Sequence, residues 1–72
     1  FTTKLKMPKG ANVVKFDMQS AEMFIWAIVD TEQPLETRNF TVVGTGWEID
    51  GDECYIGTVF EGPFVWHCLE VA

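Results

Sequence analysis

Proline and glycine punctuate this chain so closely that its apolar runs stay short. Pro8, Gly10, Pro34, Gly44, Gly46, Gly51, Gly62 and Pro63 divide 72 residues into segments of strand length. Long helices have no room between such breaks, and short apolar runs separated by turn signals are the pattern of antiparallel strands. Composition points the same way. Nearly half the chain is apolar (47%), with six Phe and three Trp, a bias toward residues that suit a pleated, half-buried surface. The chain therefore reads as one all-β domain over residues 1–72, with about five to seven strands. They form a small antiparallel meander closed as a barrel or stacked as a sandwich.

The segments can be followed in order. "FTTKLKM" ends at Met7-Pro8-Lys9-Gly10, a turn with proline at its second position and glycine at its fourth. In "ANVVKFDMQ", Val14, Phe16 and Met18 alternate with Val13, Lys15 and Asp17, which places each set on one face of a strand. Ser20 and Ala21 make the next turn. "EMFIWAIVD" then breaks the alternation, because Met23, Ile25, Ala27 and Val29 on one side and Phe24, Trp26 and Ile28 on the other are all apolar. Such a strand is expected to be buried on both faces. A domain this small cannot cover that much apolar surface by itself. We therefore expect a homo-oligomer, a dimer above all, with Phe24, Trp26 and Ile28 in its interface.

"DTEQPLET" reads as the longest connector. "RNFTVV" runs into Gly44-Thr45-Gly46, and "WEI" into Asp50-Gly51, a short hairpin signal. "CYIGTVF" and "FVWHCLEV" form a last hairpin around Glu61-Gly62-Pro63, in which Cys68 faces Ile56 and Cys54 faces Glu70. The cysteines are then diagonal, too poorly placed for a disulfide. Two cysteines are also too few for a disulfide scaffold, which makes a reducing, cytoplasmic setting the default. The chain starts at Phe1 rather than methionine, so its N-terminus is expected to be incomplete. No run of apolar residues is long enough to span a membrane as a helix.

Charge is uneven. Residues 1–16 carry four lysines and no acid, whereas residues 17–72 carry eleven acids and one arginine. An overall charge of −6 without a basic stripe argues against a nucleic-acid partner. The uneven charge is either a solvated surface or a basic first strand that docks on an acidic neighbour.

Trp66, His67 and Cys68 stand side by side near the C-terminus, but consecutive strand residues point to opposite faces, so His67 and Cys68 cannot serve each other as base and nucleophile. His67 is either a sheet residue with one hydrogen bond or a donor to a ligand. One His and two widely spaced Cys do not make a zinc site, and "DGDE" at 50–53 lacks the spacing of a calcium loop. The sequence implies no metal, no cofactor and no enzyme, since no nucleophile, base and orienting group come together. Arg38 is the only arginine. Its planar fork either clamps an anionic or planar group or pairs with Glu36 or Glu32. With Gly44 and Gly46 leaving backbone open to approach, the candidate ligand or partner site is Arg38, Gly44, Thr45, Gly46, Trp47 and His67.

"MPKGA" at 7–11, "FIWAIVDTEQPLETRNF" at 24–40, "VGTGW" at 43–47, "YIGT" at 55–58 and "FVWH" at 64–67 together resemble a family of small phage and prophage proteins without an assigned activity. In that family a short strand precedes the "MPKGA" turn, and histidine often stands where this chain has Trp47. The resemblance implies an all-β phage protein working in the host bacterial cytoplasm. That family carries no activity to transfer, and the accessory function expected here rests on the residues themselves, aromatic faces and a single arginine that could form pockets between subunits. A small oligomeric binding module would counter host defence by sequestering a signalling nucleotide or by binding a defence protein. The alternative is a structural or assembly part of the phage particle.

Overall fold

The structure is a computed structural model that describes residues 2–20, 22–47, 49 and 51–71. Six strands follow in order: β1 (Thr2–Pro8), β2 (Asn12–Gln19), β3 (Glu22–Ile28), β4 (Leu35–Gly44), β5 (Cys54–Glu61) and β6 (Phe64–Val71). One antiparallel sheet has the order β1-β4-β6-β5, and β2 and β3 form a separate antiparallel ribbon. The fold is thus small and all-β, with two sheets and no closed barrel. Among the described residues β1 pairs only with β4, and β3 only with β2, which leaves a seam between those two edges. On the opposite side the ribbon is tied in, because β2 lies against β5. A Cβ added to Gly57 of β5 would come within 3.2 Å of the Cβ of Phe16.

The core fills the space between the ribbon and the inner face of the larger sheet. Met7, Phe40, Val42, Val59 and Cys68 project from the sheet and meet Phe16, with Met18, Met23, Ile25 and Ala27 packing around them. Full burial of such side chains is worth roughly 1.5–3 kcal/mol each. This cluster is what joins the two sheets, since no strand ladder does so among the described residues.

Local chemistry shifts several expected details. The first turn begins one residue later than its sequence suggests. Ala11 N–H donates to the Pro8 carbonyl at 3.1 Å, and Gly10 takes the left-handed third position with φ 81°. Pro8 still belongs to β1, opposite Leu35. In β2 a bulge falls at Val14, between the pairs Val13↔Ala27 and Lys15↔Trp26. The extra residue changes the parity, so Val13 joins Phe16 and Met18 on the inner side and Val14 is 54% exposed. Ser20 has φ 50° in the following turn; its neighbour Ala21 lies outside the described residues.

Within one chain β3 is covered on one face only. Met23, Ile25 and Ala27 pack inward, while Phe24 is 41% and Ile28 66% exposed. No third layer lies over the ribbon, which explains the departure from the two-sided burial expected of this segment. Among the described residues, 45–47, 49 and 51–53 lie outside the strands, more than in the connector around Pro34 that the sequence marked as longest. Trp47 and Ile49 belong to no strand, and Glu48 and Asp50 of the expected strand and hairpin lie outside the described residues. Gly51 is left-handed, φ 94°, but β4 pairs with β1 and β6, and the 45–53 segment must cross β6 to reach β5.

The final hairpin turns in two residues, Gly62 and Pro63, with Gly62 at φ 55° and Glu61 opposite Phe64. That tighter turn sets Gly57, not Ile56, opposite Cys68. A bulge at Ile56 then restores the expected pairing of Cys54 with Glu70. Both cysteines are free, Cys54 exposed and Cys68 buried.

Candidate functional site

β6 places His67 on the outer face of the larger sheet, between Val43 of β4 and Thr58 of β5. Its Nδ1 lies 2.8 Å from the Thr58 hydroxyl and its Nε2 2.8 Å from the Thr45 hydroxyl. The Tyr55 hydroxyl continues the chain, 2.5 Å from Thr58 Oγ1. Thr45 is held in place because its N–H donates to the Val65 carbonyl at 3.3 Å. His67 is therefore a sheet residue with two side-chain hydrogen bonds rather than the one expected. A neutral imidazole has one donor and one acceptor, and a threonine hydroxyl can satisfy either. Cys68 points into the core instead. Burial first, and the nearby Glu70 charge second, push its thiol up to about 11, so it stays protonated and unreactive at neutral pH.

On the other side of Thr45, an aromatic cluster closes the same end of the sheet. Residues 44–47 form a turn in which Trp47 N–H donates to the Gly44 carbonyl at 3.1 Å and Gly46 has φ 88°. This turn folds the Trp47 ring back over Gly44. A Cβ at position 44 would sit 2.9 Å from Trp47 Nε1. The open backbone at Gly44 thus receives the chain's own indole. Trp47 meets Trp66 edge to face at 5.8 Å, and Phe64 stacks on Trp66 at 5.9 Å with 24° between the rings. Trp66 Nε1 donates to Glu61 at 3.1 Å. A cleft of about 270 Å³ runs between the 44–47 turn and the Pro63–Trp66 stretch, and the two outer rings, Trp47 and Phe64, are 55% and 58% exposed.

Arg38 does not reach this end. It stands six residues before Gly44 on the same strand, about 20 Å away at ~3.3 Å per residue. Its fork is occupied: Nε donates to Glu70 at 2.6 Å, a second guanidinium nitrogen donates to the other Glu70 oxygen at 2.7 Å, and the third donates to the Ala11 carbonyl. Neither Glu36 nor Glu32 is its partner. Glu36 instead accepts the Gly10 N–H at 3.1 Å. The Arg38 hydrogen bonds hold the Glu70 carboxyl below the usual carboxylate range against the opposing effect of burial, and Arg38 is shifted up in turn. Arg38 and Glu70 clamp the first turn to β4 and β6.

Of the six residues proposed from sequence, Gly44, Thr45, Gly46, Trp47 and His67 gather at one end of the sheet and Arg38 stands apart. The gathered residues fall on two faces of that end: Thr58 and Tyr55 join His67 on the outer face, while Phe64 and Trp66 join Trp47 over Gly44 on the inner one, and none of these four was read as a site residue from the sequence. Counting back from a two-residue turn at Gly62 would have paired Thr58 with His67. On the ribbon, Phe24 and Trp26 of β3 contact each other at 6.2 Å, with the Lys15 ammonium 5.1 Å from the Trp26 ring. Among the described residues no helix is long and apolar enough to cross a membrane.

A sequence profile described as a domain of unknown function (DUF7352) matches residues 2–72. Among curated proteins, intraflagellar transport protein osm-1 of Caenorhabditis elegans is 35% identical over 66 residues. That alignment covers 85% of this chain but only 4% of the worm protein's length. No solved structure matches.

Proposed function

The chain belongs to the DUF7352 domain family, and we propose that it is a non-enzymatic binding module whose aromatic cleft docks on a protein partner. One observation carries this reading: Trp47 and Phe64 hold large flat rings more than half exposed around a cleft, where the core does not require them. Exposed aromatics of this kind anchor interfaces, because they bury much area at little conformational cost. Between a nucleotide and a protein surface, the charges favour the protein. Arg38 is committed to Glu70, the four lysines stand on β1, the first turn and β2, and Glu61 borders the cleft. A phosphate there would meet a carboxylate and no cation.

The resemblance to small phage and prophage proteins supplies the setting, an infected bacterial cell in which the partner is a host defence protein. The test is complementation. A phage lacking the gene is plated on hosts carrying single defence systems while variants are supplied in trans. Wild type and the surface control Thr31→Ala restore plaques, and Trp47→Ala and Phe64→Ala, which melt like wild type, lose about tenfold or more in efficiency, as expected for removal of interface anchors. Full restoration by both variants would argue that the cleft is not the binding site. The alternative, a virion component, requires the protein in purified particles.

Self-association is the second part of the reading. Phe24, Ile28 and the bulged Val14 are exposed around the half-buried Trp26, an apolar face on the ribbon that a second copy would cover. Sedimentation at high micromolar concentration is expected to give a dimer, and Trp26→Glu a monomer with unchanged secondary structure. A wild-type monomer under those conditions would remove this part.

A further inference from the structure

The seam between β1 and β3 has features that neither the aromatic cleft nor the outer face of the ribbon explains. β1 is an edge strand, paired through residues 2–8 with β4 alone among the described residues. An edge strand offers a row of unpaired backbone donors and acceptors to any extended segment. Beside it lies an apolar cavity of about 240 Å³, lined by Leu5, Phe16, Phe24, Phe40, Val42 and Cys68 among others. Leu5 and Met7 point inward from β1, so Lys4 and Lys6 project from its other face, and Lys9 follows in the turn. The lysines at 4 and 6 are exposed and have no salt-bridge partner among the described residues.

We propose that β1 is a strand-addition site for an extended acidic segment of another protein, one in which apolar and acidic residues alternate. Backbone pairing to β1 supplies the register. Because side chains alternate across a strand, every second residue of the guest falls beside Leu5 and enters the seam, while the residues between them fall beside Lys4 and Lys6. Opposite charges across neighbouring strands stabilise the pairing and like charges oppose it. This is why the guest is acidic on its outer face. It also gives Lys4 and Lys6, two of the four lysines in residues 1–16, a role that a fully solvated surface would not need. A guest in this position fills the gap toward β3 that keeps the two sheets from closing.

The test uses the whole chain and three labelled eight-residue peptides. One alternates Glu with Val, one alternates Lys with Val, and one has the composition of the first with all four Glu preceding all four Val. Only the alternating Glu-Val peptide is expected to bind, with amide shift changes and slowed hydrogen exchange along residues 2–8. The double variant Lys4→Glu, Lys6→Glu weakens it by about tenfold or more, because the two attractive cross-strand contacts at these positions become repulsive. Trp47→Ala leaves it unchanged, which separates this surface from the aromatic cleft. Equal binding of the Lys-Val or the blocked peptide, or shift changes confined to the 44–47 turn, would overturn the proposal. So would residues 2–8 already protected in a dimer of the free protein, because a second copy would then be the occupant.

Discussion

Replacing Glu70 by alanine is expected to lower the melting temperature by about 8–16 °C, from a loss of ~2 kcal/mol in a domain of this size. The two side chains of the Arg38–Glu70 pair are only 17% and 23% exposed, and the pair is bidentate. Removing the carboxylate leaves a guanidinium with little water and one remaining hydrogen-bond acceptor, the Ala11 carbonyl, besides the Phe40 ring and the more distant Glu36 charge. A fully buried pair broken in this way costs about 3–5 kcal/mol, and partial exposure reduces that figure. The effect also depends on pH, with a definite sign. Arg38 lowers the folded carboxyl below its unfolded value, so the pair contributes fully above the ordinary glutamate range, near about 4.3. That contribution is lost as pH falls through the lower folded value. Thermal melts from pH 7 to pH 3 should therefore show wild type and Glu70→Ala converging toward the acid end. A constant gap, or no gap at neutral pH, would show that the pair does not stabilise the fold.

That ion pair also marks the limit of what the sequence reveals. Arg38 and Glu70 are 32 residues apart, and no local spacing announces their meeting. Only the pairing of β4 with β6, which sets Phe40 opposite Glu70, brings them to one face. Local arguments did better. The strand character of all six elements follows from β-branched and aromatic runs between turns, whereas the expected pairing of Cys54 with Glu70 is met only because the bulge at Ile56 offsets a turn one residue tighter than counted. Counting fails where an extra residue intrudes. The alternation of Val14, Phe16 and Met18 looks regular in sequence, yet the bulge at Val14 sends that side chain outward and turns Val13 in. A period of two carries no mark of a bulge, because every residue keeps a strand-compatible character. Likewise the 44–47 turn was legible as a glycine-opened segment, while its partner Phe64 read only as the start of a strand. Phe64 stacks on Trp66 two residues along the same strand, but the contact of Trp47 with Trp66 depends on how the 44–47 turn folds back over Gly44.

Phe16→Ala is expected to have the largest effect, about 3–5 kcal/mol, which approaches the whole stability of many domains of this size. Among the described residues the ribbon carrying Phe16 shares no strand ladder with the larger sheet, so side-chain packing and its two chain connections hold it there. Phe16 is 7% exposed and stands over Gly57, which has no side chain with which to fill the vacated space. The hole therefore persists or the ribbon shifts, and either outcome loosens the seam beside it. Cys68 reports which occurs, because it is 2% exposed and lines the same cavity as Phe16. In wild type a thiol reagent should label exposed Cys54 quickly and Cys68 slowly. In Phe16→Ala, measured below its melting temperature, Cys68 should label much faster while Cys54 is unchanged. If Cys68 stays protected and the melting temperature falls only slightly, the ribbon must be anchored elsewhere. The proposed self-association face at Phe24, Trp26 and Ile28 is then the place to look, since a second copy pressing on the ribbon would hold it down without Phe16.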